Sequence, residues 1–138
     1  MIYLCKPKFS CMSNERKIIN DPVFGFINIP KGLIFDLVKH PLLQRLTRIK
    51  QVGLSSVVYP GAQHTRFQHS LGASYLMQEA IQQLVAKGNF IFDSEAEAVK
   101  AAILLHNIGH GPFSHVLEHS IVRGVSHEEI SLMLMECI

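Results

Sequence analysis

The run from Ala98 to Leu105, AVKAAILL, most constrains what this chain can fold into, because a single lysine interrupts its apolar surface. A helix that is apolar almost all round has to be covered on several sides. The spacing therefore predicts a helix capped by Asp93 or Ser94, central to a bundle and well buried. It must stop near His106, because Ile108-Gly109-His110-Gly111-Pro112 reads as a turn.

The rest of the chain supplies partners for that helix. Leu33, Ile34, Leu37 and Val38 suit an amphipathic helix ending near His40-Pro41, and Leu42, Leu43, Leu46 and Ile49 suit a second one. Gln51 to Gln63, with Gly53, Pro60 and Gly61, reads as a loop. Thr65 is placed to cap a long helix running to about Val85, with Phe67, Leu71, Tyr75, Leu76, Leu84 and Val85 as its buried faces and Lys87-Gly88-Asn89 as its stop. After the glycine turn a short helix is expected to about His119, and Ser126 caps a last helix from His127 to Ile138.

Upstream, KIINDPVFGFINIPKG holds two β-branched or aromatic runs separated by Asp-Pro and punctuated by Gly25 and Pro30, the pattern of a short hairpin or extended arm. The fold class expected is all-α, a helical bundle with a short N-terminal β-hairpin or arm. Residues 1–16, with a second methionine at Met12, read as a disordered N-terminal extension, and residues 17–138 as the N-terminal part of a domain. Leu132, Leu134 and Met135 keep the last helix amphipathic with no C-cap in sight, which predicts a fold that continues past Ile138.

Composition narrows the function classes. At 138 residues and 48% hydrophobic content the chain can bury one core, and a net charge of +2 gives no reason to expect wholesale nucleic-acid binding. Arg45, Arg48 and Lys50 read as a solvated face, since no aromatic residues interleave them as a stacking platform. Cys5, Cys11 and Cys137 lack CxxC spacing, so neither a disulfide framework nor a cysteine zinc site is expected, and a reducing cytoplasmic compartment fits. No segment approaches the roughly 18 apolar residues of a membrane span.

Histidine is the anomaly: five of the eight fall between His106 and His127. Imidazole suits transition metals, and a neighbouring side-chain oxygen would add a hard ligand, so His106 beside residue 107 is a candidate metal position. A histidine at a helix end can equally serve only the last carbonyls of that helix. In HTRFQHSLG, Arg66 and His69 are three apart and share a helix face, so one could hold an anion while the other binds a metal. The plain alternative is a surface arginine on the first turn.

Together NDPVFGFI, LLQRLTRIKQVG, YPGAQHTRFQHSLG, LLHNIGHGPFSH and SHEE resemble the HD-domain superfamily of metal-dependent phosphohydrolases, most closely its branch of deoxynucleoside triphosphate triphosphohydrolases. The resemblance implies a histidine, a His-Asp doublet and a distant aspartate around one divalent metal, whether manganese, iron, zinc or magnesium. His69 matches the first ligand and His106 the doublet histidine, while Asn107 stands where the aspartate belongs, which implies a weakened metal or none. The last aspartate has no counterpart before Ile138. The resemblance further implies that His115 is an acid/base histidine oriented by Glu118, that His127 is another active-site histidine, that His110 lines the same pocket and faces substrate, that Arg66 contacts phosphate, and that Gln51 lies near the sugar.

The activity implied is attack on the α-phosphorus of a deoxynucleotide, releasing nucleoside and tripolyphosphate; a homo-oligomer is compatible with the resemblance. Residue spacing by itself supports only metal-assisted hydrolysis of an anionic substrate. Three readings stay open at this point: an impaired phosphohydrolase, a catalytically dead nucleotide-binding or assembly module that keeps the pocket, and a helical structural domain.

Overall fold

The computed structural model of the chain describes residues 16–113, 124–136 and 138. The hairpin forms as expected. Strands β1 (Arg16–Asp21) and β2 (Gly25–Pro30) pair antiparallel, with Asp21 opposite Gly25 and Ile19 opposite Ile27. Asp21 sets the turn: its Oδ1 accepts from the Val23 and Phe24 amides at 2.8 and 3.0 Å, an aspartate mimicking a backbone turn. Gly25 follows at φ +72°, a conformation that side-chain-bearing residues rarely adopt. Strand alternation then turns Ile27 and Ile29 into the core.

Helix α1 (Leu33–Lys39) ends at His40, whose extended backbone is what a residue before proline prefers, and Pro41 opens α2 (Pro41–Gln44). The second helix expected over Leu42 to Ile49 is shorter than predicted. It gives way to a 3-10 turn, Arg45–Arg48, where the Thr47 hydroxyl donates to the Gln44 carbonyl at 2.6 Å and so serves the backbone locally. Leu43 and Leu46 are nevertheless fully buried. The loop predicted from Gln51 to Gln63 contains one further short helix, α3 (Ser55–Val58).

Helix α4 (Arg66–Ala86) begins at the predicted cap. Gln68 N donates to Thr65 Oγ1 at 3.3 Å and Thr65 N donates to Gln68 Oε1 at 2.8 Å, a reciprocal box that satisfies two otherwise orphaned donors. Its start is also fastened to the chain behind it. Lys50 bridges Thr65, Arg66 N donates to Ile49 O at 2.8 Å, and Gln51 N donates to His64 O at 3.0 Å. Phe24, at the hairpin tip, lies so close to α4 that a Cβ on Gly72 would stand 2.8 Å from its ring.

Helix α5 (Asp93–Leu105) is capped by Phe92, rather than by Asp93 or Ser94 as expected, and the Glu95 carboxylate accepts from the Phe92 amide at 3.1 Å. The prediction that this helix is well buried is not met: only Leu104 is buried, while Val99 is 44% exposed. Its main packing partners among the described elements are α4 and α1, so its opposite apolar face meets solvent. Leu76, Leu84 and Val85 on α4, predicted to be buried, are exposed for the same reason. The core lies between β2, α1, α2, the 3-10 turn and the facing sides of α4 and α5, around Val38, Leu43, Leu46, Leu71 and Leu104.

A last helix, α6 (His127–Met135), is capped by Ser126 and Glu129 as expected, but ends at Met135 rather than Ile138. The extension over residues 1–16 and the short helix to His119 lie outside the described residues, apart from Arg16 in β1. The helical domain with a small N-terminal hairpin is thus observed.

Candidate functional site

The site forms where the first turn of α4 meets the end of α5. Fastened at Ile49–Gln51, α4 places Arg66, His69 and Ser70 toward α5, as residues three and four apart on one face must be. Arg66 is only 3% exposed, which removes the reading of it as a surface arginine. Burial lowers the pKa of its guanidinium from the ordinary arginine value, yet arginine keeps its proton in proteins. Ser70 is fully buried beside it.

His106 closes α5. Its Nδ1 sits 2.5 Å from the Ile103 carbonyl oxygen, and a carbonyl only accepts, so Nδ1 carries the hydrogen and Nε2 offers its lone pair. Asn107, buried next to it, takes an Arg66 Nη1 hydrogen bond on Oδ1 at 3.0 Å. Its Nδ2 faces His106 Nε2 at 2.8 Å and donates to Ser70 Oγ at 3.3 Å. His69 meets His106 edge to face, ring centroids 5.4 Å apart. Burial first, then the charges of His106, His64 and Arg66, hold the His69 pKa below the ordinary histidine value.

Beyond the doublet the chain turns tightly over α6. A Cβ on Gly109 would stand 2.2 Å from the His127 carbonyl oxygen, so only glycine allows this approach. Gly109 N donates to Ser131 Oγ at 3.0 Å, and that hydroxyl donates to His127 O at 2.9 Å. The result brings His110 and His127 into a parallel stack with centroids 4.2 Å apart. Arg45 reaches the same turn, donating from Nη2 to Ile108 O at 2.6 Å.

Of the predicted site residues, His69, His106, Asn107 and Arg66 are thus gathered in one place, with His110 and His127 paired at the adjoining turn. Gln51 stands behind the α4 start, its Oε1 buried without a hydrogen-bond partner among the described residues. His115 and Glu118 lie outside the described residues. Three contributors were missed. Ser70 could have been read from its place one turn after Arg66, whereas Arg45, set down as part of a solvated face, and Ser131 carry no local signal. A cleft of about 630 Å³ opens on the hairpin side of His69, walled by Phe24, Ala73 and Leu76, but Arg66 and His110 do not line it.

The resemblance implies a divalent metal here, and the residues do not fit one as they stand. Two imidazoles are close together, but the amide nitrogen of Asn107 occupies the His106 Nε2 lone pair and the amide oxygen is engaged by Arg66. No group of three or more potential ligands is assembled among the described residues.

Comparison with known proteins bears on the same residues. A family model described as HD domain matches residues 66–135. The chain is 37% identical over 135 residues to the deoxynucleoside triphosphate triphosphohydrolase SAMHD1 of Bos taurus, covering 92% of this chain and 23% of that protein. It is 39% identical over 118 residues to the uncharacterized protein YwfO of Bacillus subtilis, covering 86% of this chain and 27% of that one. Among solved structures, a phosphohydrolase from Bacteroides thetaiotaomicron is similar at a TM-score of 0.86 and 88% identity, over 89% of this chain and 30% of that one. The chain spans about a quarter of the length of these curated relatives.

Proposed function

The chain belongs to the HD-domain family, near its triphosphohydrolase branch, and from that premise we propose that it carries part of a nucleotide site for a deoxynucleoside triphosphate or a related nucleotide. We propose further that hydrolysis at this site is impaired. The observation that carries the reading is one buried guanidinium, Arg66, set with the imidazoles of His69 and His106 where α4 meets the end of α5, with the His110 and His127 rings stacked at the adjoining turn. An oligophosphate's charge is best met by donors already held in place, which here are the guanidinium and the imidazoles other than His106, whose two ring nitrogens are engaged by Ile103 and Asn107.

Arg66 and His110 bind phosphate oxygens in this reading. The buried Gln51 Oε1, an acceptor without a partner among the described residues, takes a hydroxyl hydrogen from the sugar. His127 orients His110 through the stacked rings. His115, with Glu118 to fix its tautomer, would hold the proton that a departing oxygen needs. Asn107 in place of a carboxylate removes a negative charge and an acceptor from the doublet. That loss is the reason for impairment, since even an outer partner of a metal ligand is typically worth about 10 to 100-fold in affinity or activity.

The alternative, a catalytically dead nucleotide-binding module, is favoured by the amide contact on His106. Calorimetry with deoxyguanosine triphosphate and with tripolyphosphate, in chelator, tests the shared part of both readings. Saturable heat that falls in Arg66→Lys is expected; no heat with either probe rejects the site. Release of tripolyphosphate over hours then separates slow enzyme from binding module.

A further inference from the structure

The doublet end of the site is a chain of hydrogen bonds with only one consistent polarity. Arg66 can only donate, so the Asn107 atom 3.0 Å from it is oxygen. The amide nitrogen is thereby turned toward Ser70 Oγ and His106 Nε2. Ile103 O can only accept, so His106 donates to it from Nδ1 and accepts at Nε2. Guanidinium, amide, imidazole and backbone carbonyl thus run donor to acceptor in sequence, three links of 3.0, 2.8 and 2.5 Å. Reversing the Asn107 amide would set two donors against each other at Arg66 and two acceptors against each other at His106.

We infer that in this chain Asn107 takes the place of the ion: its amide holds the His106 lone pair that a cation would hold, so this end of the site is closed and ordered without metal. The inference deepens the reading of Asn107 given above and rests on it. An amide hydrogen and a metal cannot both use Nε2. An aspartate at the same position could keep the Arg66 contact, but its second oxygen would face the Nε2 lone pair, acceptor against acceptor. Only a cation or an added proton between them would relieve that. Asparagine and aspartate therefore prescribe opposite states of one geometry, one complete when empty of metal and the other complete only with it.

Thermal unfolding of the chain, with chelator and with excess manganese, reads this difference, because an ion that binds the native state raises Tm by mass action. The unaltered chain should melt at the same temperature in both conditions. Asn107→Asp should melt lower than the unaltered chain in chelator and rise saturably with manganese. If that variant does not fold, nitrogen NMR of the unaltered chain still decides. His106 should be an Nδ1–H tautomer with a hydrogen-bonded Nε2, its signals and those of His69 unbroadened by substoichiometric manganese. A saturable manganese-dependent rise in Tm of the unaltered chain, or selective broadening of His69 and His106, overturns the inference. No nucleotide enters these measurements, so their failure is separate from failure of the nucleotide site.

Discussion

Arg45 donates from Nη2 to the carbonyl oxygen of Ile108 at 2.6 Å, tying the 3-10 turn to a residue 63 positions further along the chain. That carbonyl belongs to the turn after α5 that carries Asn107 and His110, so a side chain from the 3-10 turn anchors it. Arg45→Met keeps an apolar stem and removes the donor. A loss of roughly 1.5 kcal/mol is expected, the lower end for charge-assisted hydrogen bonds because Arg45 is largely exposed. Urea unfolding with an unchanged m-value checks it; equal midpoints for the two proteins would show the contact to be incidental.

Gly109 is a second hinge point of the same turn. An added Cβ would lie 2.2 Å from His127 O, 2.5 Å from Ser131 Oγ and 2.6 Å from Ser131 N, two of them backbone atoms that cannot swing aside. Gly109→Ala should cost about 1–3 kcal/mol, as overpacking in a tight core does. It should also part the stacked rings of His110 and His127, seen as loss of their mutual ring-current shifts. Native-like shifts at normal stability would contradict the close crossing.

His69 should respond to acid in the metal-free chain. Burial, then His106, His64 and Arg66, depress its pKa below the ordinary histidine value of 6.5. The unfolded chain therefore takes up this proton at higher pH than the folded one. Stability from His69 is fully present above that ordinary value, and is lost as pH falls through the depressed folded value. Proton NMR of the His69 Cε1–H resonance reads the midpoint directly; one at or above the ordinary value would reject the environment described.

Local chemistry made much of this fold legible in the sequence. Thr65 with Gln68 three residues on announced the start of α4, Asp21-Pro22 with Gly25 announced the hairpin, and His40-Pro41 announced a helix boundary. Each signal acts within a few residues. What the sequence could not show was which apolar faces find a partner, because periodicity marks a face without saying what covers it. Leu76, Leu84 and Val85, expected to be buried, are exposed on that account, as is the outer face of α5 with Val99.

The site divided in the same way. The motifs located His69, His106, Asn107 and Arg66, but the direction of the Asn107 amide depends on Arg66 41 positions away and on Ser70 37 positions away. Pairing of His110 with His127 likewise needed the close approach at Gly109. Sequence motifs named the participants, and long-range packing decided what each atom faces.

The short clasp between Ile49–Gln51 and His64–Arg66 separates the length of the intervening loop from the position of Arg66. Both ends of that loop are pinned before α4 begins, so added residues bulge outward instead of pushing on the guanidinium. Closure entropy grows only logarithmically, about 0.6 kcal/mol for each doubling of a flexible loop. The segment from Val52 to Gln63 is where this domain can tolerate insertion while the arginine keeps its register.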